Sequence, residues 1–192
     1  PLLRTRWGFV ANNYLINTIG IAKNQLDKII VLPIIGFELL GNYALALQLY
    51  AVFTMFSKII FEYTLPHDSV GESKTKIKIL AITSSILITL LGIFVAPMII
   101  EIIFSEYDEA ISAIQIISLA VIPSTITLIL SSKILGGEKS KIILSSRIVF
   151  AGIFIVLVVI LTPIYDIVGT TSSFVIASIA QCLVLLVYSK LK

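Results

Sequence analysis

Hydrophobic positions divide this chain into six long apolar runs that are separated by short polar segments. The runs cover residues 8–35, 39–65, 77–100, 110–134, 142–162 and 167–189. A transmembrane α-helix needs about 20 apolar residues to cross a bilayer, whereas the strands of a membrane barrel alternate over about 10 residues. The pattern therefore predicts an all-α integral membrane protein, with six transmembrane helices forming a single unit over residues 1–192.

The charged residues that flank these runs change sign from one linking segment to the next. One set of segments is basic and carries Arg4, Arg6, Lys74, Lys76, Lys78, Lys133, Lys139, Lys141, Arg147, Lys190 and Lys192. The other set lacks Lys and Arg and carries Glu38, Glu101, Glu106, Asp108, Glu109 and Asp166. Short loops rich in Lys and Arg stay in the cytoplasm. The sequence therefore predicts a multi-pass protein of the cell membrane with both chain ends cytoplasmic.

Composition agrees with a membrane protein and argues against a nucleic-acid partner. Hydrophobic residues make up 58% of the chain, charged residues 13%, and the mean hydropathy is +1.07. The net charge of +3 is explained by the basic loops, which have no interleaved aromatic residues. We therefore expect membrane lipids, and no nucleic acid, around this protein.

The first run is the most polar one and holds the strongest candidates for a transport site. On a helix, Asn13, Asn17, Gly20, Asn24, Asp27 and Lys28 fall within an arc of about 100°, opposite Tyr14, Leu15 and Thr18. Such a stripe should face other helices or water, because exposing it to lipid is costly. Together with Lys23, it could line a central vestibule. In the alternative, Asp27 pairs with Lys28 or with a neighbouring helix and only orders the packing.

Two further basic residues lie inside later runs. Lys58 and Glu62 are spaced to pair on one helix face, near Pro66. Lys58 either extends its side chain to the cytoplasmic interface or contacts a phosphate at the inner mouth of the vestibule. Arg147 either anchors the fifth helix at the interface or binds a pyrophosphate.

Prolines and small residues predict where the helices break or approach closely. Pro66 should end the second helix, and the segment after it should form a polar loop. Pro123 should kink the fourth helix, with Ser124 or a neighbouring hydroxyl bonding the carbonyl that the proline leaves free. The small residues of 169–173 should allow close approach of the last helix. The fifth run should face lipid.

No enzyme signature is present, and we predict that the chain is not an enzyme. It lacks a P-loop, an HExxH sequence, a GxSxG sequence and a second cysteine. His67 is the sole histidine, so the acidic residues near 101–109 are not expected to hold a metal ion. We expect no cofactor, although Asp27 is a possible site for a coupling cation or proton.

Several short segments resemble those of a known transporter family. They are Gln25–Ile30 with Gly41–Ala44, Glu101–Ala110 with Ile114–Ala120, and Leu161–Gly169. The last is similar to a Leu-x-Pro-x-Tyr-Gly-x-x-Gly turn, with Asp166 in place of the usual Gly. In this order they resemble the polysaccharide-biosynthesis flippases, the Wzx-like branch of the MATE-like multidrug/oligosaccharidyl-lipid/polysaccharide superfamily.

The resemblance implies a fold and a function. The chain would be the C-terminal six-helix lobe of a two-lobe transporter, with the N-terminal lobe missing, and Pro1 in place of Met fits a fragment. The family moves polyprenyl-linked oligosaccharides across the cytoplasmic membrane. The site residues would then be Asn13, Asn17, Lys23, Asn24, Asp27, Lys28, Lys58 and Arg147.

Two alternatives remain open from the sequence. A multidrug or metabolite antiporter of the same superfamily would show aromatic and acidic residues in its cavity, whereas amides and lysines prevail here. A non-transporting membrane module would instead bind glycan-synthesis enzymes as its partners.

Overall fold

A computed structural model describes the backbone of residues 7–72, 74–103 and 108–190, and it describes their side chains apart from those of 7–13, 16, 17, 19–30, 35, 38 and 108. Helices occupy nearly all of these residues, and no strand occurs among them. They are α1 Trp7–Ser69, α2 Thr75–Ile103, α3 Asp108–Ser118, α4 Val121–Gly136 and α5 Ser140–Lys190. The predicted all-α class is confirmed.

Helix α5 is a hairpin, because its two halves lie side by side. The bend is at Asp166, which has φ 48° and ψ −126°. The Thr162 and Thr170 hydroxyls are 3.0 Å apart, and the rings of Phe150 and Phe174 lie 5.6 Å apart. In a straight helix, 24 residues would separate those rings by about 36 Å. Segments 140–165 and 167–190 are therefore antiparallel.

Helix α1 also bends once, at a residue that tolerates the required backbone angles. Gly36 has φ 77° and divides the helix into segments 7–35 and 37–69. Glycine adopts positive φ without the steric cost that a Cβ would add. The bend falls between the first two predicted helices, so the sequence located it correctly.

Proline does not end the second helix, and that prediction was wrong. The helix continues past Pro66 to Ser69, whose hydroxyl donates a hydrogen bond of 2.6 Å to the Pro66 carbonyl. Helix α2 likewise continues through Pro97 to Ile103. A proline removes one backbone donor but leaves the other hydrogen bonds of the helix in place, and apolar helices tolerate this.

The fourth run is broken slightly earlier than expected. The break lies at Leu119 and Ala120, so that Pro123 falls in the first turn of α4, where its missing N–H is not needed. The carbonyl of Ser118 beside the break accepts a hydrogen bond of 3.2 Å from Thr89 on α2. Ser124, one of the hydroxyl residues that we expected to bond a carbonyl freed here, shares a hydrogen bond with the Tyr50 hydroxyl instead.

Within the described residues, four helical stretches are long and apolar enough to cross a membrane. They are Leu39–Ser69, Thr75–Ile103, Glu109–Gly136 and Ser140–Lys190. The last contains 51 residues, or about 76 Å of helix, which is more than twice the thickness of the hydrocarbon core. Its hairpin bend accounts for the excess length.

The helices pack around one apolar cluster and expose an apolar exterior. Tyr43, Ile114, Val158 and Phe174 belong to the cluster. Helix α2 turns a stripe of mostly small residues inward, at Ala81, Ser85, Thr89, Gly92, Ala96 and Ile100. A Cβ on Gly92 would collide with the Ser118 side chain, so α2 and α3 approach closely.

The outward faces are rich in large apolar side chains that suit contact with lipid. Leu87, Leu90 and Phe94 of α2 are exposed, as are Val156, Val159 and Ile160 of α5. The 140–165 segment buries its other face through Phe150, Phe154 and Val158. The expected contact with lipid therefore applies to one face of this segment.

Candidate functional site

Three segments that the sequence marks as basic converge at one end of the bundle. The Gly136 backbone packs against the end of α1, so that an added Cβ would lie 2.8 Å from the Asp68 carbonyl carbon. Tyr188 and Ser189, near the end of α5, lie around one pocket with Lys133. We call this end, formed by residues 66–72, 74–78, 132–142 and 188–190, the basic end.

The Asp68 carboxylate is the centre of a polar network at the basic end. The Lys78 ammonium donates to both carboxylate oxygens, at 2.6 and 2.8 Å. The Ser132 hydroxyl donates to Oδ2 at 2.6 Å. The side chains of Asp68 and Lys78 are only 4% and 12% exposed. We call these three residues the Asp68 network.

The Asp68 network joins three helices through a compensated charge. Asp68 lies in the last turn of α1, Lys78 near the start of α2, and Ser132 near the end of α4. A buried carboxylate is tolerable only when a counter-charge and hydrogen bonds replace its water. The network therefore stabilises one arrangement of these three helix ends.

Sequence reasoning missed the Asp68 network and placed Asp68 in a polar loop. Its partners lie 10 and 64 residues away in the chain, and no helical spacing links them.

The nearby Glu72–Lys74 pair is ordinary by comparison, with an N–O distance of 3.1 Å and both side chains exposed. Lys74 lowers the pKa of the Glu72 carboxyl through its hydrogen bond and its charge.

A second polar feature lies on the outer surface of segment 37–69. Gln48, Lys58 and Glu62 are all exposed and fall within an arc of about 80° on the helix. Val52, Met55 and Ile59, which are apolar, lie exposed beside them. We call Gln48, Lys58 and Glu62 the α1 polar stripe.

Hydroxyl pairs on the other side of the segment determine that the α1 polar stripe faces outward. Tyr50 bonds Ser124 at 2.5 Å, and Ser57 bonds Thr125 at 2.7 Å. Both bonds run to α4. They hold the opposite face of the segment against the bundle, and the stripe residues on the outward face are exposed.

The stripe is costly to expose to lipid, most clearly at Gln48. This residue lies about 13 Å along the helix from Leu39 and about 31 Å from Ser69, so it is far from either end. Its amide forms no hydrogen bond with another described residue. An amide in hydrocarbon without a partner loses its hydrogen bonds to water. Water or a second protein surface should therefore cover this face.

Lys58 is the one predicted site residue that the stripe contains. Its side chain is exposed about 16 Å before the helix ends at Ser69, and its long stem can extend toward the basic end. The expected pair with Glu62 does not form, although both residues are described. A Lys four residues before a Glu is the weaker of the two orders on a helix.

The other predicted residues divide into one that is described and six whose side chains are not. Arg147 is half-buried, lies near the basic end of α5 and has an interaction partner. The side chains of Asn13, Asn17, Lys23, Asn24, Asp27 and Lys28 lie outside the described residues, and only their helical backbone is known. Tyr14, Leu15 and Thr18, predicted to lie opposite the amide stripe, are exposed.

Within the described residues, no group of three or more His, Cys, Asp or Glu side chains could hold a metal ion. Comparison with known proteins gives no significant match to a protein-family model, a curated protein or a solved structure. The α1 polar stripe and the basic end are therefore the features from which a function can be inferred.

Proposed function

We propose that this chain forms one six-helix lobe of a two-lobe flippase in the cytoplasmic membrane. Its cargo would be a polyprenyl-linked oligosaccharide, a precursor of a polysaccharide. The observation that supports this most is the α1 polar stripe, an outward polar face on a helix that is otherwise long and apolar. A second lobe facing the stripe would enclose a water-filled path between the two.

Six crossings follow if both bent helices pass through the membrane twice. Helix α1 would cross with 7–35 and 37–69, and α5 with 140–165 and 167–190, while α2 and the α3–α4 pair add one each. The basic end would then face the cytoplasm, with both chain ends on that side, because Lys- and Arg-rich segments remain there.

The stripe and its surroundings fit an amphipathic cargo. The Gln48 amide can exchange hydrogen bonds with sugar hydroxyls, and the Lys58 ammonium can pair with a pyrophosphate. Val52, Met55 and Ile59 beside them offer apolar surface to a polyprenyl tail. Asn13, Asn17, Lys23, Asn24, Asp27 and Lys28 would extend the polar wall along segment 7–35, and Arg147 would lie at the inner mouth.

Transport would follow from rocking of the two lobes about this path, as in transporters built from paired repeats. Binding and release require no cofactor. A cation or proton held at Asp27 would be the means of coupling transport to an ion gradient.

Flipping of a fluorescent polyprenyl-linked oligosaccharide by the whole protein in liposomes tests the proposal. We expect Gln48→Leu with Lys58→Gln to slow flipping about tenfold, equivalent to about 1.4 kcal/mol in the barrier. Leu87→Met, a volume-conserving change on the exposed face of α2 away from the stripe, should leave the rate unchanged.

Two results would replace the flippase proposal with an alternative. Export of a fluorescent organic cation without lipid flipping would favour the antiporter. Binding of a glycosyltransferase, with no flipping by the unaltered protein, would favour the non-transporting module.

A further inference from the structure

The basic end contains a pocket to which the transport proposal gives no role. It has a volume of about 110 Å³ and lies between the last turns of α4, the first turn of α5 and the end of α5. Its lining residues are Leu130, Lys133, Ile134, Gly137, Lys139, Ile142, Tyr188 and Ser189. A volume of this size can hold several water molecules or one tetrahedral oxyanion.

The lining combines positive charge, hydroxyl donors and an apolar wall. Lys133 and Lys139 bring two ammonium groups, and neither forms an ion pair with a described residue. Tyr188 and Ser189 add two hydroxyl groups from the opposite side. Leu130, which lies deeper along α4, is apolar. Glu138 belongs to the same turn but does not line the pocket.

The turn between α4 and α5 reduces the partial negative charge that would oppose an anion here. The end of a helix carries partial negative charge on its free carbonyls. In this turn the Gly137 and Glu138 N–H groups donate to the carbonyls of Lys133 and Leu135, at 3.2 and 2.9 Å. The Lys139 N–H donates to the Ile134 carbonyl at 3.1 Å. The capped carbonyls leave the two lysine charges dominant.

We propose that this pocket binds the phosphate headgroup of an anionic phospholipid in the leaflet that faces the basic end. A pocket at the end of membrane-length helices lies at headgroup depth, and basic pockets between such helices bind anionic headgroups. Lys133 and Lys139 would pair with the phosphate, while Leu130 and Ile142 would contact the first carbons of an acyl chain. The site needs the membrane placement of these helices, but it does not need transport.

Native mass spectrometry of the whole protein with phosphatidylglycerol or phosphatidylcholine tests this site. We expect phosphatidylglycerol to remain bound more tightly, and Lys133→Gln with Lys139→Gln to weaken it roughly thirty-fold, since each lysine near an anionic lipid contributes about fivefold. Lys74→Gln with Lys76→Gln removes the same charge at the same end outside the pocket, and should change binding much less.

A second variant distinguishes lipid binding in the pocket from lipid attraction by diffuse surface charge. Ser189→Trp keeps the net charge but fills the cavity, and we expect it to weaken phosphatidylglycerol binding as well. The proposal would be overturned if the two double-lysine variants lost phosphatidylglycerol binding equally. Full phosphatidylglycerol binding by Ser189→Trp would also overturn it. So would binding of inorganic phosphate with no preference between the two lipids, since the ligand would then be a free anion.

Discussion

At the scale of single residues, the buried Asp68 network allows a quantitative prediction about stability. Asp68→Asn keeps the shape of the side chain but leaves the Lys78 ammonium poorly compensated at 12% exposure. Removing one partner of a buried ion pair costs about 3–5 kcal/mol. We therefore expect a clear fall in the melting temperature of the protein in detergent. Adding Lys78→Met to Asp68→Asn should restore part of the lost melting temperature, because both substitutions act on the same ion pair.

The exposed Glu72–Lys74 pair provides the matched control. Glu72→Gln removes a carboxylate only four residues from Asp68, but in a pair that water already solvates. Its melting temperature should match that of the unaltered protein. A similar fall in Glu72→Gln and Asp68→Asn would show that burial at the basic end has no special effect.

The sequence could not predict the Asp68 network because its partners meet only after three helices have packed. Helical periodicity relates residues three or four apart, and it therefore predicts the stripe on segment 7–35 and gives the Lys58–Glu62 spacing. It says nothing of Ser132, which is 64 residues from Asp68. The Lys58–Glu62 pair shows the converse, since correct spacing did not produce an ion pair.

At the scale of helices, the bend of α5 explains the turn motif that the sequence displays. Asp166 has φ 48° and ψ −126°, a backbone conformation that favours glycine. We expect Asp166→Gly to stabilise the protein by about 1 kcal/mol, the lower part of the usual cost of such a strained residue. Thermal unfolding in detergent would measure this gain, and a loss of stability would show that the Asp166 side chain matters more than the strain.

Two glycines of α5 provide a comparison within the same helix. A Cβ on Gly169 would collide with the Leu161 carbonyl across the hairpin, whereas a Cβ on Gly152 meets nothing within 4 Å. Gly169→Ala should therefore destabilise the hairpin. Gly152→Ala should be neutral or slightly stabilising, because alanine favours helix by about 1 kcal/mol. Equal effects of both changes would argue against the close packing of the two halves.

Helix boundaries were predictable wherever a backbone requirement is encoded locally. Gly36 and the Thr162–Gly169 turn both lie where the structure bends. Pro66 misled the prediction, because a proline within an apolar helix need not end it. The helix breaks at Ala120, before Pro123, because the proline lies in the first turn of the next helix.

At the scale of the whole molecule, charge alternation predicted which segments meet. The described residues of 66–72, 74–78, 132–142 and 188–190 do converge at one end, as the common sign of their charges indicated. Which side of the membrane they face follows only from the topology rule, so it calls for a direct measurement. In a Cys182→Ser background, we expect a membrane-impermeant maleimide to label Lys76→Cys and Lys139→Cys only from the cytoplasmic side.

The bend of the α5 hairpin provides a labelling position that we expect on the opposite side of the membrane. Asp166 lies at the far bend of α5 and is exposed, so Asp166→Cys should be labelled only from the outside. Labelling of Lys139→Cys and Asp166→Cys from one side would mean that segment 140–165 does not cross the membrane. The six-crossing arrangement would then fail, even though the helices themselves remain.

The same labelling also decides whether the α1 polar stripe faces water. Gln48 and Phe94 are both exposed on apolar helices and lie about 31 and 28 Å along those helices from the basic end, so depth and surface exposure are similar. A thiol reacts with maleimide as its thiolate, which forms in water and not in hydrocarbon. Gln48→Cys in the whole protein should therefore react at least about tenfold faster than Phe94→Cys, because a wet path ionises the first thiol and lipid suppresses ionisation of the second. Equal protection of the two thiols would place the stripe against lipid or dry protein and remove the main support for a transport path.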